Sequence, residues 1–198
     1  DFAIVGPPEM SACELINAQD PHQVPGVVSR HSPTVTPRSQ PSFTSLPSPD
    51  RTVFPVERYS HAMRSTALPY AQVVTSRGCD RHCGYCPVPR MRPMGFDPRA
   101  PERVFDEWMM LVREHGIRSI HVEDDNFLAD RERILDLCNR LLDAGSPVVW
   151  ELVNGVRPDQ VDPTILKARA EAGCNRIVFS FELSQAQMNP AIGDRREQ

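Results

Sequence analysis

The sequence predicts an α/β protein of about four parallel strands joined by helices and preceded by an irregular, proline-rich linker. Three observations predict it. Beyond Pro69, short apolar runs alternate with stretches of helical period. Each of those helical stretches carries its own start and stop residues. Most of the 20 prolines fall between Pro21 and Pro101, ahead of that regular region. Strands alternating with helices imply parallel strands connected by right-handed crossovers.

The elements follow in order. Phe2 to Val5 is a short apolar run, Gly6-Pro7-Pro8 a turn, and Met10 to Ala18 a helix that begins near Ser11. These are too little for a domain. From His31 to Pro55, Ser, Thr and Pro replace any apolar period, which is the composition of a linker. Ala71 to Thr75 is the first strand and runs into a loop dense in cysteine. The first long helix has Pro101 in its first turn and the acids Glu102 and Asp106 near its positive end. Its apolar stripe is Val104, Trp108, Leu111 and Val112, and His115-Gly116 ends it. Ile117 to Val122 is the second strand. Asp130 caps the next helix, whose stripe is Ile134, Leu137, Cys138, Leu141 and Leu142 and which closes at Gly145. Val148 to Val153 is the third strand. Asp162-Pro163 opens the third helix, Gly173 closes it, and Arg176 to Phe181 is the fourth strand.

In parallel α/β folds the working groups come from the carboxyl ends of the strands. The cysteine loop follows the first strand, Glu123-Asp124-Asp125-Asn126 the second, Asn154 the third and Glu182 the fourth, so these polar groups are expected on one face.

Composition narrows the function. The 198 residues, 40% of them hydrophobic, suffice for one ordinary domain core. A net charge of −4 argues against a general nucleic-acid binder. Between Arg77 and Arg103, however, arginines outnumber acids, a local patch that suits an anionic cofactor or substrate or simply solvates a loop. No apolar run approaches the ~20 residues of a membrane span.

The most specific feature is Cys79-Asp80-Arg81-His82-Cys83-Gly84-Tyr85-Cys86, three thiols at CxxxCxxC spacing. Three thiolates this close can take three corners of one iron–sulfur cubane and leave the fourth iron open to a ligand. Structural zinc more often uses two separated ligand pairs, and no second CxxC follows. A ferredoxin needs a fourth cysteine nearby, yet the next is Cys138, on a helix. Disulfides would leave an odd thiol over. Cys138 in an apolar stripe, Cys174 before an apolar strand and Cys13 lack ligand spacing and read as structural.

The octet, preceded by Thr75-Ser76-Arg77-Gly78, resembles the cluster loop of the radical S-adenosylmethionine superfamily. Leu46 to Arg51, Arg99 to Val104, Glu123 to Phe127 and Asn154 to Arg157 resemble, more narrowly, the branch that carries a cobalamin-binding domain ahead of the radical core. The resemblance implies a partial radical S-adenosylmethionine (βα) barrel over 70–198. Residues 29–69 would be the Pro-rich linker, and 1–28 a remnant of the carboxyl-terminal end of a cobalamin-binding domain. It implies that Cys79, Cys83 and Cys86 ligate a 4Fe-4S cluster whose open iron binds S-adenosylmethionine. Tyr85 would lie near the adenine. Asp124, favoured over Glu123 and Asp125, would accept from the cofactor's amino group, unless this segment is only a polar turn. Asn154 and Glu182 would contact its ribose or methionine moiety.

The activity implied is reductive cleavage of S-adenosylmethionine to a 5′-deoxyadenosyl radical. The associated chemistry would be cobalamin-associated C-methylation or related radical chemistry on a small-molecule or lipid-like substrate. Cobalamin is the further cofactor this implies, and a flavodoxin or ferredoxin the reductant; no nucleic-acid partner is expected. An exposed reduced cluster requires a reducing compartment, so a cytoplasmic location is expected. Asp20-Pro21-His22-Gln23-Val24-Pro25 resembles the DxHxxG pattern of cobalt-ligating histidines, but proline replaces the glycine, and His22 reads better as a linker residue. A full radical core has more strand–helix units than the four strands counted here. The chain is therefore expected to be a fragment that alone binds a cluster poorly and turns over no substrate. The alternative is a non-catalytic iron–sulfur or zinc-binding module.

Overall fold

Residues 1–39, 41–58, 67–92 and 94–180 are described by a computed structural model, in two units, Asp1–Ser42 and Phe43–Gln198. In the first unit, β1 (Phe2–Ile4) pairs antiparallel with β2 (Val27–Ser29), with α1 (Glu9–Asn17) between them. Ser11 is buried inside α1 and donates to the Pro25 carbonyl at 2.8 Å. The Glu14 carboxylate takes both Arg38 nitrogens at 2.6 Å. His22 lies in a 3-10 turn capped by Asp20, and its Nδ1 is 3.1 Å from Ser29 Oγ, so its ring serves the turn.

The second unit is built on four parallel strands. They are β3 (Tyr70–Val73), β6 (Ser119–Val122), β7 (Val149–Val156) and β8 (Cys174–Phe179), side by side in that order. Between β3 and β6 lie β4 (Ser76–Arg77), α2 (Val88–Met91), β5 (Asp97–Pro98) and α3 (Pro101–His115). The helix α4 (Arg131–Asp143) links β6 to β7, and α5 (Pro163–Glu171) links β7 to β8. The chain therefore has the predicted α/β class, with a four-stranded parallel sheet that matches a partial (βα) barrel.

The helices form where their caps and stripes require. Asp130 accepts from Arg133 N at 3.0 Å and Asp162 from Ile165 N at 2.9 Å, each satisfying an amide that the first turn leaves open. Gly116, with φ 63°, closes α3 in the left-handed region. At Gly173, φ 92°, a side chain would also meet the Val148 carbonyl oxygen at 2.8 Å, so glycine is needed between α5 and β8.

Ala71, Val73, Ile120, Val122, Trp150 and Leu152 point from the sheet to the helices and are buried with Trp108 and Leu111 of α3 and Leu137 and Leu141 of α4. Trp108 and Phe127 meet the Trp150 ring at 5.6 and 5.7 Å, and Trp150 Nε1 donates to the Ala172 carbonyl. Two stripe residues depart from expectation. Leu142 is exposed and Val112 only half-buried, because each sits at the edge of its helix's buried face.

Strand limits also differ. The first strand stops at Val73 because Thr75 turns away to bond Asp124, and the third runs on to Val156 through a register irregularity against β8. The fourth begins at Cys174 and ends at Phe179; Phe181 lies outside the described residues. Residues 43–58, expected to be irregular, hold two 3-10 turns and bury Val56 against the core. No described helix is long and apolar enough to cross a membrane.

Candidate functional site

The cysteine loop leaves the carboxyl end of β3 and is clamped at its base. Ser76 and Arg77 of β4 pair antiparallel with Pro98 and Asp97 of β5, and Arg99 N donates to the Thr75 carbonyl at 3.0 Å. Phe43 braces the clamp: its amide donates to Asp97 at 2.6 Å, and its ring lies 4.1 Å beneath the Arg77 guanidinium. Gly78 has φ 74°, and a side chain there would collide with the Gly95 carbonyl oxygen, so the loop can close only over glycine.

Cys79, Cys83 and Cys86 are all half-buried in this loop. Burial pushes the Cys79 thiol up from its ordinary range, against the Arg81 amide that donates to its sulfur at 3.4 Å. Arg157 Nη1 is 3.7 Å from Cys83 Sγ, and Asp159 holds the same guanidinium at 2.9 Å, raising its pKa. The Asp159 carboxylate is in turn held below its usual range, first by that hydrogen bond. Tyr85 is 52% exposed on the loop surface.

The second strand's mouth supports the loop from the other side. Asp125 accepts from Gly78 N at 2.8 Å, and Asn126 Nδ2 donates to Asp80 at 2.9 Å. Asp124 is 3% exposed and turned inward. One oxygen accepts from Thr75 N at 2.5 Å, and the other from Thr75 Oγ1 at 2.5 Å and Ser76 Oγ at 2.6 Å. Arg133 of α4, also buried, donates to the Thr75 carbonyl and hydroxyl and to the Arg99 carbonyl. Asn154 Nδ2 donates to the Asp124 carbonyl at 3.1 Å. The structure thus gathers Cys79, Cys83, Cys86, Asp124 and Asn154 at the carboxyl end of the sheet, while Glu182 lies outside the described residues.

Arg133, Asn126 and Arg157 were not singled out from sequence. Arg133 had a signal: it precedes Leu137 by one helical turn, in phase with a buried stripe that would otherwise be apolar.

Burial is the main influence on Asp124 and drives its pKa above the ordinary 3.8, with the Ser76 and Thr75 bonds and the Arg133 charge opposing it. The folded protein therefore holds this proton at pH values where the unfolded chain has lost it. Relative to Asp124→Asn, the native protein should gain stability as pH falls from neutral through the raised pKa toward 3.8, and lose it on the way back. Urea midpoints of both proteins across that window check this; the opposite slope would mean that the hydrogen bonds outweigh the burial.

The donor set suits an iron–sulfur cluster: three soft thiols on a loop fixed at both ends. Among the described residues no three His, Cys, Asp or Glu side chains gather as around one metal ion. A cubane does not ask them to, since each thiolate takes a different iron.

Comparison with known proteins agrees with this geometry. The profile of the Radical SAM superfamily matches residues 73–197, more than half of the chain. An uncharacterized methyltransferase of Pyrococcus horikoshii is 27% identical over 148 residues, 75% of this chain and 31% of that protein. Among solved structures, the cobalamin-dependent S-adenosylmethionine radical enzyme OxsB, with aqua-cobalamin and S-adenosylmethionine bound, superposes with a TM-score of 0.74. It is 19% identical, over 97% of this chain and 29% of that one. The radical S-adenosylmethionine methyltransferase TsrM of Kitasatospora setae, with cobalamin and a [4Fe-4S] cluster bound, gives 0.69 at 18% identity, over 95% and 39%. The chain spans well under half the length of each of these proteins.

Proposed function

Because the chain belongs to the Radical SAM superfamily, we propose that the whole protein is an enzyme that cleaves S-adenosylmethionine reductively at a 4Fe-4S cluster held by Cys79, Cys83 and Cys86. The observation that carries this reading is the clamped loop, with three half-buried thiols standing at the carboxyl end of the first parallel strand. Held there by Cys79, Cys83 and Cys86, a cluster would supply the one-electron chemistry for reductive cleavage of S-adenosylmethionine to a 5′-deoxyadenosyl radical.

The chain's own residues do the rest. Gly78, Asp125 and Asn126 hold the loop over the sheet. Arg157 places a cation beside the Cys83 sulfur, where it stabilises the thiolate. Tyr85, Asn154 and Glu182 are assigned to the adenosine and methionine parts of the cofactor. Asp124 contributes by fixing Thr75 and Ser76, its carboxylate being fully engaged.

The names of the similar proteins favour methyl transfer with cobalamin as a further cofactor, so the reading extends to cobalamin-associated C-methylation or related chemistry on a small-molecule or lipid-like substrate. His22 is not assigned to cobalt, its Nδ1 lying 3.1 Å from Ser29 Oγ at the turn. A flavodoxin or ferredoxin in the reducing cytoplasm would deliver the electron.

The test is anaerobic reconstitution of the whole protein with iron and sulfide, then electron paramagnetic resonance of the reduced state with and without S-adenosylmethionine. A 4Fe-4S signal that changes on adding S-adenosylmethionine and vanishes in Cys83→Ala is expected. Stoichiometric zinc with no cluster signal would leave a structural metal module in its place.

A further inference from the structure

The face of the parallel sheet turned away from the helices carries a polar row. Gln72 of β3 is in register with His121 of β6, His121 with Glu151 of β7, and Glu151 with Arg176 of β8. The residues on either side of the row, Ala71, Ile120 and Trp150 below and Val73, Val122 and Leu152 above, point the other way into the helix-packed core. Side chains alternate along a strand, so the four polar groups share one face. In barrels that serve only as packed scaffolds this inner face is filled by branched apolar side chains. Here its middle layer is Gln, His, Glu and Arg.

Glu151 is the telling member. Its side chain is 0% exposed, and among the described residues neither carboxylate oxygen accepts a hydrogen bond. Arg176 Nη1 at 3.5 Å and His121 Nε2 at 3.9 Å are near Oε2 but beyond ordinary charge-assisted bonding distance. A buried carboxylate without donors costs stability, and such a group calls for a partner that supplies the missing donors. One step toward the mouth, Glu123 lies on the same face and accepts from Gln72 at 2.9 Å. Among the described residues the face carries two carboxylates against one guanidinium, an excess that favours a cation over an anion.

We propose that Glu151, flanked by His121 and Arg176, binds a protonated amine of the substrate on the face of the sheet turned away from α3, α4 and α5. The ammonium hydrogens reach the two carboxylate oxygens, and His121 closes the site from the neighbouring strand. The row lies one residue below the ends of β3, which carries the cysteine loop, and β6, about 3 Å along the strand, so an amine bound there orients the remainder of the molecule toward the mouth. That the occupant is the substrate rests on the radical reading above; that the site takes an amine does not.

The test uses the whole protein with isotope-labelled histidine, the His121 ring signals being assigned with His121→Gln. n-Butylammonium should shift those signals saturably, and butan-1-ol, of matched shape and without the charge, should bind about tenfold or more weakly. Glu151→Gln should weaken the amine by a similar factor, leave the melting temperature unchanged or raised, and leave the cluster signal and its response to S-adenosylmethionine intact. Should that variant not fold, Glu151→Asp, which withdraws the carboxylate and keeps its charge, should show the same loss. Equal binding of amine and alcohol, or no movement of His121, overturns the proposal. So does a lowered melting temperature with amine binding retained, which would make Glu151 a structural partner of Arg176. Loss of the cluster response in the native protein would overturn the radical reading alone, because amine binding needs no cluster.

Discussion

Gly78→Ala is expected to lower iron and sulfide incorporation about tenfold or more while the parallel sheet stays folded. The backbone at Gly78 has φ 74°, and a side chain there meets the Gly95 carbonyl oxygen. That carbonyl belongs to the returning arm of the cysteine loop, between α2 and β5, so relief of the collision must open the loop itself. The Gly78 amide would then draw away from Asp125, and Cys79, the next residue, would lose its place relative to Cys83 and Cys86.

Gly95→Ala is the natural control. Gly95 has nearly the same φ, 76°, but nothing lies within 4 Å of a side chain built on it. It should cost about 1 kcal/mol of backbone strain and load its cluster. Iron and labile sulfide per protein, beside circular dichroism of the same samples, separates the two effects. Normal loading of Gly78→Ala would show that the closed base of the loop is dispensable.

The regular part of this architecture was legible because local signals and burial agree there. Asp130 and Asp162 cap the helices they were expected to cap, and Trp108, Leu111, Ile134, Leu137 and Cys138 are buried as their spacing requires. Where a side chain from elsewhere decides, the reading stopped short. Thr75 looked like the end of a strand, but Asp124, distant in sequence, takes its amide and hydroxyl and turns the chain.

The candidate site shows the same division. The cysteine triplet is a local pattern and could be read directly. The inward aim of Asp124 could not, because three consecutive acids differ only in which one the packing of Arg133 and Ser76 draws in. The polar row of Gln72, His121, Glu151 and Arg176 was invisible for a related reason. The four lie on four different strands, and only strand register brings them together. Residues 43–58 read as a linker by composition, yet Phe43 and Arg51 fasten them to the clamp and the core through contacts that no local period encodes.

That fastening leads to the largest stability effect expected outside the site. Glu107 of α3 has a fully buried side chain and holds two guanidinium groups, Arg99 at 2.5 Å and Arg51 at 2.8 Å. Both arginines also donate to backbone carbonyls at β3, Arg51 to Gln72 and Arg99 to Val74, so one carboxylate ties the segment before the strand and the arm after the loop to the same edge. Glu107→Ala leaves two poorly solvated cations facing each other and should cost about 3 to 5 kcal/mol, or about 10 °C in melting temperature for a unit of this size. Glu107→Gln should recover little, since it restores volume without charge. Replacing all three, Arg51→Met, Arg99→Met and Glu107→Leu, removes the desolvated charges together and should return most of the loss. Urea unfolding of the four proteins tests the argument through the midpoint at constant slope. If Glu107→Ala were as stable as the triple replacement, the two arginines would be solvated well enough without their carboxylate. Residues 43–58 would then be held to the sheet by Val56 and Phe43, and the ion triad would contribute little.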